Sequence, residues 1–367
     1  MRFPLLTLRI LWQSALLLLV PGLIGLVVVV PLALVTKSAL VEVQVITNDV
    51  DFTLLAGSES GQEVNLLQSV RAQQVTVTAN SVRVPVAELI EKDQNRTVLR
   101  GGSVEFRAER RTSVCEVEFE ADKGELSLQD VRSRAGSQVH LYRKDDEVRI
   151  DITPRELVEG RILLPDRVSL AATGCSVLNA DGSAVPGLPE SPQRRFILQP
   201  GASSVEIASP VKTTLRAQLS SNEDQELPGA FSEFLRIADL TFSPGPYGTL
   251  IPVRQGVVRF RTLDKKDLEF ENGFLNVPQQ DTFDLVAMSG KAGALDLTLS
   301  GIASSLKVGK TPHPAPEELP DLLEWLYHQQ QLGLIAGALV WISGTVLAAV
   351  NLLDKLKKPA GHDFRAN

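Results

Sequence analysis

The chain has 367 residues and a formal net charge of −7, and 44% of its residues are hydrophobic, 22% charged and 5% aromatic. These averages match an ordinary globular protein, but the hydrophobic residues are concentrated in two segments. Residues 10–36 and 332–353 contain no charged side chain, and each is long enough to cross a hydrocarbon core of roughly 30 Å. The sequence therefore argues against a wholly water-exposed chain and predicts a membrane protein with two transmembrane α-helices.

The first segment, residues 10–36, is predicted to be a signal anchor that follows a short tail over residues 1–9. Its uncharged stretch is far longer than the apolar core of about 7–15 residues in a cleaved signal peptide. Cleavage after Ser38 is the alternative. The residues Thr36-Lys37-Ser38 fit the small-residue rule for a cleavage site poorly, so a retained anchor is favoured.

The charges beside the two segments predict their orientation. The tails over residues 1–9 and 354–367 each carry a net charge of +2, whereas the chain just before residue 332 is acidic. By the positive-inside rule both termini are cytoplasmic, in a plasma (inner) membrane, and the middle of the chain is extracytoplasmic. Everything between the tails has a net charge of −11, which makes nucleic acid a poor partner.

The region between the anchors has the pattern of an all-β protein. Apolar and polar residues alternate from Ala39 onward, for example over residues 41–45 and 148–152, and turn sequences separate the runs. Many short alternating strands predict an antiparallel sandwich or jelly-roll-like fold. Three prolines in residues 186–192 predict a linker, because proline cannot occupy a central strand. We therefore expect one β domain over 39–185 and a second over 193–310.

The residues between the second β domain and the second anchor are predicted to form a spacer and a short helix. Residues 311–316 are rich in proline and form a stiff spacer. Leu319, Leu322, Leu323 and Leu326 then recur at helical spacing, so 311–331 should end in an amphipathic helix near the membrane. This helix either packs on its own surroundings or serves as a partner-binding stalk.

The two cysteines, Cys115 and Cys175, both fall in the predicted extracytoplasmic region. In an oxidising compartment such a pair often forms a disulfide, and two buried free thiols are the alternative. The four histidines lie far apart in the sequence, at positions 140, 313, 328 and 362. No catalytic triad and no metal site is assembled from them, and no cofactor is expected.

Small residues recur along the second anchor at Gly333, Gly337, Gly344 and Ala348. This spacing lets two helix backbones approach closely, so these residues predict a helix-association face. Its partner could be the first anchor, another copy of the chain or a different membrane protein.

The layout of two anchors around an extracytoplasmic β pair resembles accessory subunits of bacterial envelope complexes, in layout only. The sequence favours a non-enzymatic, membrane-anchored scaffold or assembly subunit whose partners are membrane lipids and other envelope proteins or further copies of itself. The alternative is an accessory module that binds or transports a lipid or a glycan. An enzyme is the least favoured class, because no catalytic constellation is found.

Overall fold

The structure is a computed structural model, and part of the chain is described in it. The described residues are 37–56, 63–110, 112–186, 188, 193–202, 204–219, 227, 229–242, 253–261, 267–291, 293–310, 317–328, 333, 337, 340, 341, 344, 345 and 348. The predicted first anchor, both predicted tails, the spacer over 311–316 and most of the second anchor lie outside the described residues.

Within these residues the chain forms 23 β-strands. The strands up to residue 144 are β1 Ala39–Thr47, β2 Asp49–Leu54, β3 Glu63–Ala72, β4 Gln74–Ala79, β5 Ser81–Glu91, β6 Arg96–Arg100, β7 Ser103–Ala108, β8 Cys115–Ala121, β9 Leu126–Arg134 and β10 Gln138–Lys144. The later strands are β11 Glu147–Thr153, β12 Val158–Leu163, β13 Val168–Thr173, β14 Cys175–Asn179, β15 Gln193–Pro200, β16 Ser204–Ser209, β17 Thr213–Gln218, β18 Leu235–Thr241, β19 Val253–Phe260, β20 Leu268–Asn276, β21 Thr282–Lys291, β22 Ala294–Ala303 and β23 Lys307–Gly309.

The predicted all-β character of the central region is confirmed, and its described strand pairs are antiparallel. The apolar residues of the period-two pattern are the buried residues of the strands. In β1, Val41, Val43 and Val45 are buried, whereas the residues between them are partly exposed. Successive side chains of a strand point to opposite faces, so one face of each such strand builds the hydrophobic core.

Most strands belong to one continuous run of pairings. Its order is β20-β19-β1-β22-β21-β18-β2-β10-β11-β17-β4-β8-β13-β15-β5-β6. A second run has the order β14-β7-β5-β16-β12-β9-β3. Strand β5 belongs to both runs, because its first half pairs with β7 and β16 and its second half with β15 and β6.

A bend in β5 folds the two runs onto one another. Val82 in β5 pairs with Phe106, and Glu91 at the other end of β5 pairs with Phe196. A straight strand would place these two positions about 30 Å apart. The rings of Phe106 and Phe196 are nevertheless only 6.0 Å apart between centroids. The strand must therefore bend where its partners change, and the two aromatic rings pack between the two runs.

The bend leaves no room for a side chain at Gly201. A Cβ there would lie 2.8 Å from the backbone carbonyl carbon of Val86. We expect Gly201→Ala to lower the free energy of unfolding by about 1–3 kcal/mol, measured by urea denaturation, because backbone cannot move aside cheaply. The matched control is Gly160→Ala, where the nearest atom, in Val131, would lie 3.5 Å away. Equal stability of the two variants would contradict this interpretation.

The strand pairing does not break at the predicted linker over 186–192. β15 and β16 follow this segment, yet they pair with β5, β12 and β13, which precede it. The first two strands, β1 and β2, pair with β18, β19 and β22 near the other end of the region. The three prolines fall in the sequence between β14, which ends at Asn179, and β15, which begins at Gln193. Proline suits a connection within one β region as well as a linker between domains.

By its internal contacts, Ala39–Glu318 forms one compact unit, and Met1–Ser38 together with Leu319–Asn367 forms another. In the second unit α1 covers Leu322–His328, inside the segment where a short helix is predicted. The Asp321 carboxylate accepts a hydrogen bond from the Glu324 amide at 2.6 Å, which caps the first turn. Among the described residues, no helix is both long enough and apolar enough to span a membrane.

Candidate functional site on strands β2, β10 and β11

Three neighbouring strands bring ionisable side chains from distant parts of the sequence together. His140 in β10 lies directly opposite Asp51 in β2 on one side and Asp151 in β11 on the other. Tyr142, two residues further along β10, lies opposite Asp49. Because side chains alternate along a strand, all of these share the face of the sheet opposite the buried Val50, Phe52 and Leu54.

The turn between β1 and β2 fixes the position of Asp49. The side-chain amide of Asn48 donates a hydrogen bond to the Arg143 carbonyl oxygen at 2.5 Å, and the Arg143 amide donates to the Asn48 carbonyl oxygen at 2.8 Å. The Asp49 amide donates to the Thr47 hydroxyl at 3.1 Å. These bonds tie the start of β2 to β10 and hold the Asp49 side chain beside His140.

Asp49 is a buried carboxylate, and only 2% of its side chain is exposed. Neither of its carboxylate oxygens accepts a hydrogen bond from a described group. Burial, which disfavours the charged form, raises the pKa of Asp49 to about 6, and the negative charges of Asp51 and Asp151 add to this. The charges of His140 and Arg149 act in the opposite direction.

His140 is held between two carboxylates. Its Nδ1 lies 3.0 Å from Oδ1 of Asp51, and its Nε2 lies 3.2 Å from Oδ1 of Asp49. The hydrogen bond to Asp51 raises the pKa of His140, and the negative charges around the ring also raise it against the effect of burial. Asp49, Asp51 and His140 each offer one ligand atom, and these atoms lie within 4.8 Å of one another. The three residues could therefore hold a metal ion.

Asp151 is neutralised differently, by a bidentate pair with Arg149. Nε of Arg149 donates to Oδ1 at 3.0 Å, and the terminal nitrogen donates to Oδ2 at 2.7 Å. Burial alone would raise the pKa of Asp151, but the hydrogen bonds from Arg149 and Thr214 outweigh it and lower the pKa. The pKa of Asp151 therefore lies below the ordinary value of an aspartate, whereas the pKa of Asp49 lies above it.

A cavity of about 550 Å³ opens beside this cluster. Its walls include Asp51, His140, Asp151, Lys212 and Asp239, together with threonine and glutamine side chains. The Asp239 carboxylate accepts a hydrogen bond from the Thr53 hydroxyl at 2.9 Å. The cavity is thus a polar site that is open to solvent and rich in hydrogen-bonding groups.

Sequence reasoning did not find this cluster, because it treated His140 as an isolated strand histidine. The two aspartates lie about ninety residues before it, and only the pairing of β2 with β10 brings them together. The one local signal is that Asp49 and Asp51 alternate with the apolar Val50 and Phe52 at the start of β2. Two carboxylates on one face of a strand could have drawn attention to that face.

The predicted disulfide residues lie next to each other in the structure as free thiols. Cys115 is buried at the start of β8, and Cys175 begins β14. A hydrogen bond with the Cys115 thiol raises the pKa of Cys175, and burial raises it further. The predicted disulfide between them remains a prediction.

The four residues of the predicted helix-association face are described as helical and exposed. No atom lies within 4 Å of a Cβ built at Gly333, Gly337 or Gly344. Val340 and Trp341 between them are 74% and 72% exposed. Among the described residues, nothing packs on the three glycine positions, and association of this face with a partner remains a prediction.

Comparison with known proteins does not assign the chain. No protein family matches it, and no curated protein matches it. Among solved structures, the outer membrane protease OMPT from Escherichia coli is 8% identical over 72% of this chain and 94% of that chain, with a TM-score of 0.08. A similarity of this size carries no argument about fold or activity.

Proposed function

We propose that the chain is a non-enzymatic, membrane-anchored scaffold or assembly subunit of an envelope protein complex. In this proposal, the β region lies outside the cytoplasm as a sandwich or jelly-roll-like unit and binds partner proteins. Two transmembrane helices, 10–36 and 332–353, hold it in the plasma (inner) membrane with both termini cytoplasmic. The observation that carries the proposal is the helical face that contains Gly333, Gly337, Gly344 and Ala348.

Gly333, Gly337, Gly344 and Ala348 fall on one face of a helix. They are separated by four, seven and four residues, which follows the helical period. Lipid tails solvate bulky apolar residues as well as a partner helix does, so a lipid-facing surface gains nothing from glycine. Glycines instead allow close backbone packing. This face therefore favours association with another helix.

The contact between Lys37 and Trp325 supports a two-pass arrangement. Lys37 directly follows the first predicted anchor, and its ammonium group lies 5.4 Å from the centroid of the Trp325 ring. The Lys37 amide also donates a hydrogen bond to the Pro320 carbonyl oxygen at 3.0 Å. The residue that leaves the first anchor thus lies beside the helix that leads into the second. Two anchors that pack side by side in the membrane would bring these residues together.

The test is to compare assembly of the full chain and its Gly337→Ile variant after purification in mild detergent. We expect Gly337→Ile to release a stoichiometric partner or to reduce the oligomer size, because a branched side chain separates the helix backbones. The free energy of unfolding of the β region should be the same in the variant as in the wild type. Gly337→Ala, which keeps a small residue, is the matched control and should retain the assembly. Retention in the isoleucine variant would mean that this face contacts lipid.

The polar cavity beside β2 and β10 favours a second candidate function, a ligand-handling module. Carboxylates, an imidazole, a lysine and threonine hydroxyls line it, which suits the hydroxyl groups of a glycan better than an acyl chain. Mass spectrometry of the same purified sample separates the two functions. A stoichiometric protein partner supports the scaffold, whereas a bound glycan without a protein partner supports the ligand module.

A further inference from the structure

Apart from its contact with His140, the buried Asp49 carboxylate lacks a partner among the described residues. Its side chain is almost completely buried, and neither oxygen accepts a hydrogen bond from a described group. Buried charges in proteins are normally paired, hydrogen-bonded or bound to metal ions, because an uncompensated charge is costly. Oδ1 of Asp49 lies 3.2 Å from Nε2 of His140, so the space beside these two atoms is where a further partner would bind.

The His140 ring is oriented as a metal ligand would be. Its Nδ1–H donates to the Asp51 carboxylate at 3.0 Å, so when the ring gives up its other proton to bind a metal, the lone pair forms on Nε2, 3.2 Å from Oδ1 of Asp49. Histidines that bind metals usually donate their other ring N–H to a carboxylate or carbonyl oxygen, which fixes the tautomer and makes the ligand more basic. Asp51 has this role for His140.

The distance between the two free ligand atoms suits a metal ion. Nε2 of His140 and Oδ1 of Asp49 are 3.2 Å apart. Neighbouring ligand atoms of a tetrahedral zinc ion, with bonds of about 2.0–2.1 Å, lie about 3.3 Å from one another. We propose that Asp49 and Nε2 of His140 bind a first-row divalent metal ion, that Asp51 orients the imidazole, and that water from the adjacent cavity completes the coordination.

The ligand types determine the class of metal. One imidazole nitrogen with carboxylate oxygens suits zinc and other late first-row dications. Calcium takes six to eight oxygen ligands and magnesium an octahedral set, and neither is served by a histidine. The carboxylates of Asp49 and Asp51, one beside each ring nitrogen of His140, also balance the charge of a dication, since the third, Asp151, is already paired with Arg149.

The experiment is a zinc titration of the full chain, purified in detergent and freed of metal with a chelator. We expect one Zn²⁺ per chain and an increase in the midpoint of thermal unfolding on binding. X-ray absorption at the zinc edge should show nitrogen and oxygen ligands at about 2.0–2.1 Å and no sulfur at about 2.3 Å. A sulfur shell would place the ion at Cys115 and Cys175 and overturn the proposal, as would the absence of stoichiometric binding.

Variants then test the three roles separately. Asp49→Asn and His140→Gln should each abolish stoichiometric binding, and Asp51→Asn should weaken it about 10–100-fold, as expected for a residue that orients a ligand. The matched control is Asp239→Asn, which changes a carboxylate in the wall of the same cavity but outside the cluster. Unchanged affinity in both Asp49→Asn and His140→Gln would also overturn the proposal. The spectroscopic result on the unmodified chain stands even if one variant fails to fold.

Discussion

Replacement of Asp49 by asparagine is expected to increase the free energy of unfolding of the metal-free protein by about 2–3 kcal/mol at pH 8. The reason is the pKa of this buried carboxyl, which rises from 3.8 to about 6 in the folded chain. Each pKa unit corresponds to about 1.4 kcal/mol. The ionised Asp49 carboxylate is therefore less stable in the folded chain than it is in water. Asparagine fills the same space without a charge.

The sign of the pH dependence follows from the raised pKa. The folded state holds the Asp49 proton more tightly than the unfolded state does, so wild-type stability is lost as the pH rises from about 4 to 6. The gain in free energy of unfolding from Asp49→Asn should be absent below about pH 4 and constant above about pH 6. The charged groups that face Asp49 are Asp51, His140, Arg149 and Asp151, and the variant leaves them unchanged.

Urea denaturation with excess chelator measures this effect at pH 4 and pH 8. Asp239→Asn is the control, because Asp239 is exposed and its neutralisation should change stability little. A loss of stability in Asp49→Asn at pH 8 would show that the Asp49–His140 contact is a structural ion pair. A gain in stability together with a loss of zinc binding would show that the residue is retained for its ligand at a cost to the fold.

Reduction of the predicted Cys115–Cys175 disulfide is expected to lower the free energy of unfolding by about 4 kcal/mol. The bridge would close a loop of about sixty residues. The conformational entropy that it removes from the unfolded chain grows with the logarithm of the loop length. This expectation depends on the proposed extracytoplasmic location. There an oxidant can accept the two protons and two electrons that the thiols lose when the disulfide forms. In the structure the two thiols are free neighbours, and the disulfide between them is a prediction.

The measurement compares denaturation with and without dithiothreitol for chain purified from an oxidising compartment. Peptide mapping without reductant should recover the segments around Cys115 and Cys175 as one linked species. A double variant, Cys115→Ala with Cys175→Ala, is the control and should be insensitive to the reductant. If the reductant leaves the wild-type midpoint unchanged, the cysteines are the two buried free thiols of the alternative hypothesis.

Only part of the cluster formed by Asp49, Asp51 and His140 could be predicted from the sequence. The alternation around Val139-His140-Leu141 predicts a strand and places His140 on its polar face, and both features are present in β10. The neighbours of His140 could not be predicted, because nothing near residue 140 indicates that its strand pairs with residues 49–54. No metal cluster was expected from the four histidines, because they lie far apart along the sequence. The sequence does not give the distances between paired strands.

The predicted domain boundary has a similar physical origin. Proline at 186, 189 and 192 excludes a central strand, and no described strand covers this segment. Proline content alone does not tell whether the following strand joins a new sheet or returns to the old one. β15 returns and pairs with β5 and β13.

The sequence by itself determined the strands, their buried faces and the two apolar segments, because these depend on the periodicity and length of local patterns. It also determined that Cys115 and Cys175 belong to the β region. Only the tertiary structure decided that Asp49 and Asp51 meet His140, that the two thiols are neighbours, and that β1 pairs with β22. The physical reason is that strand register is set by the packing of whole sheets, and a shift of one residue would turn His140 into the core.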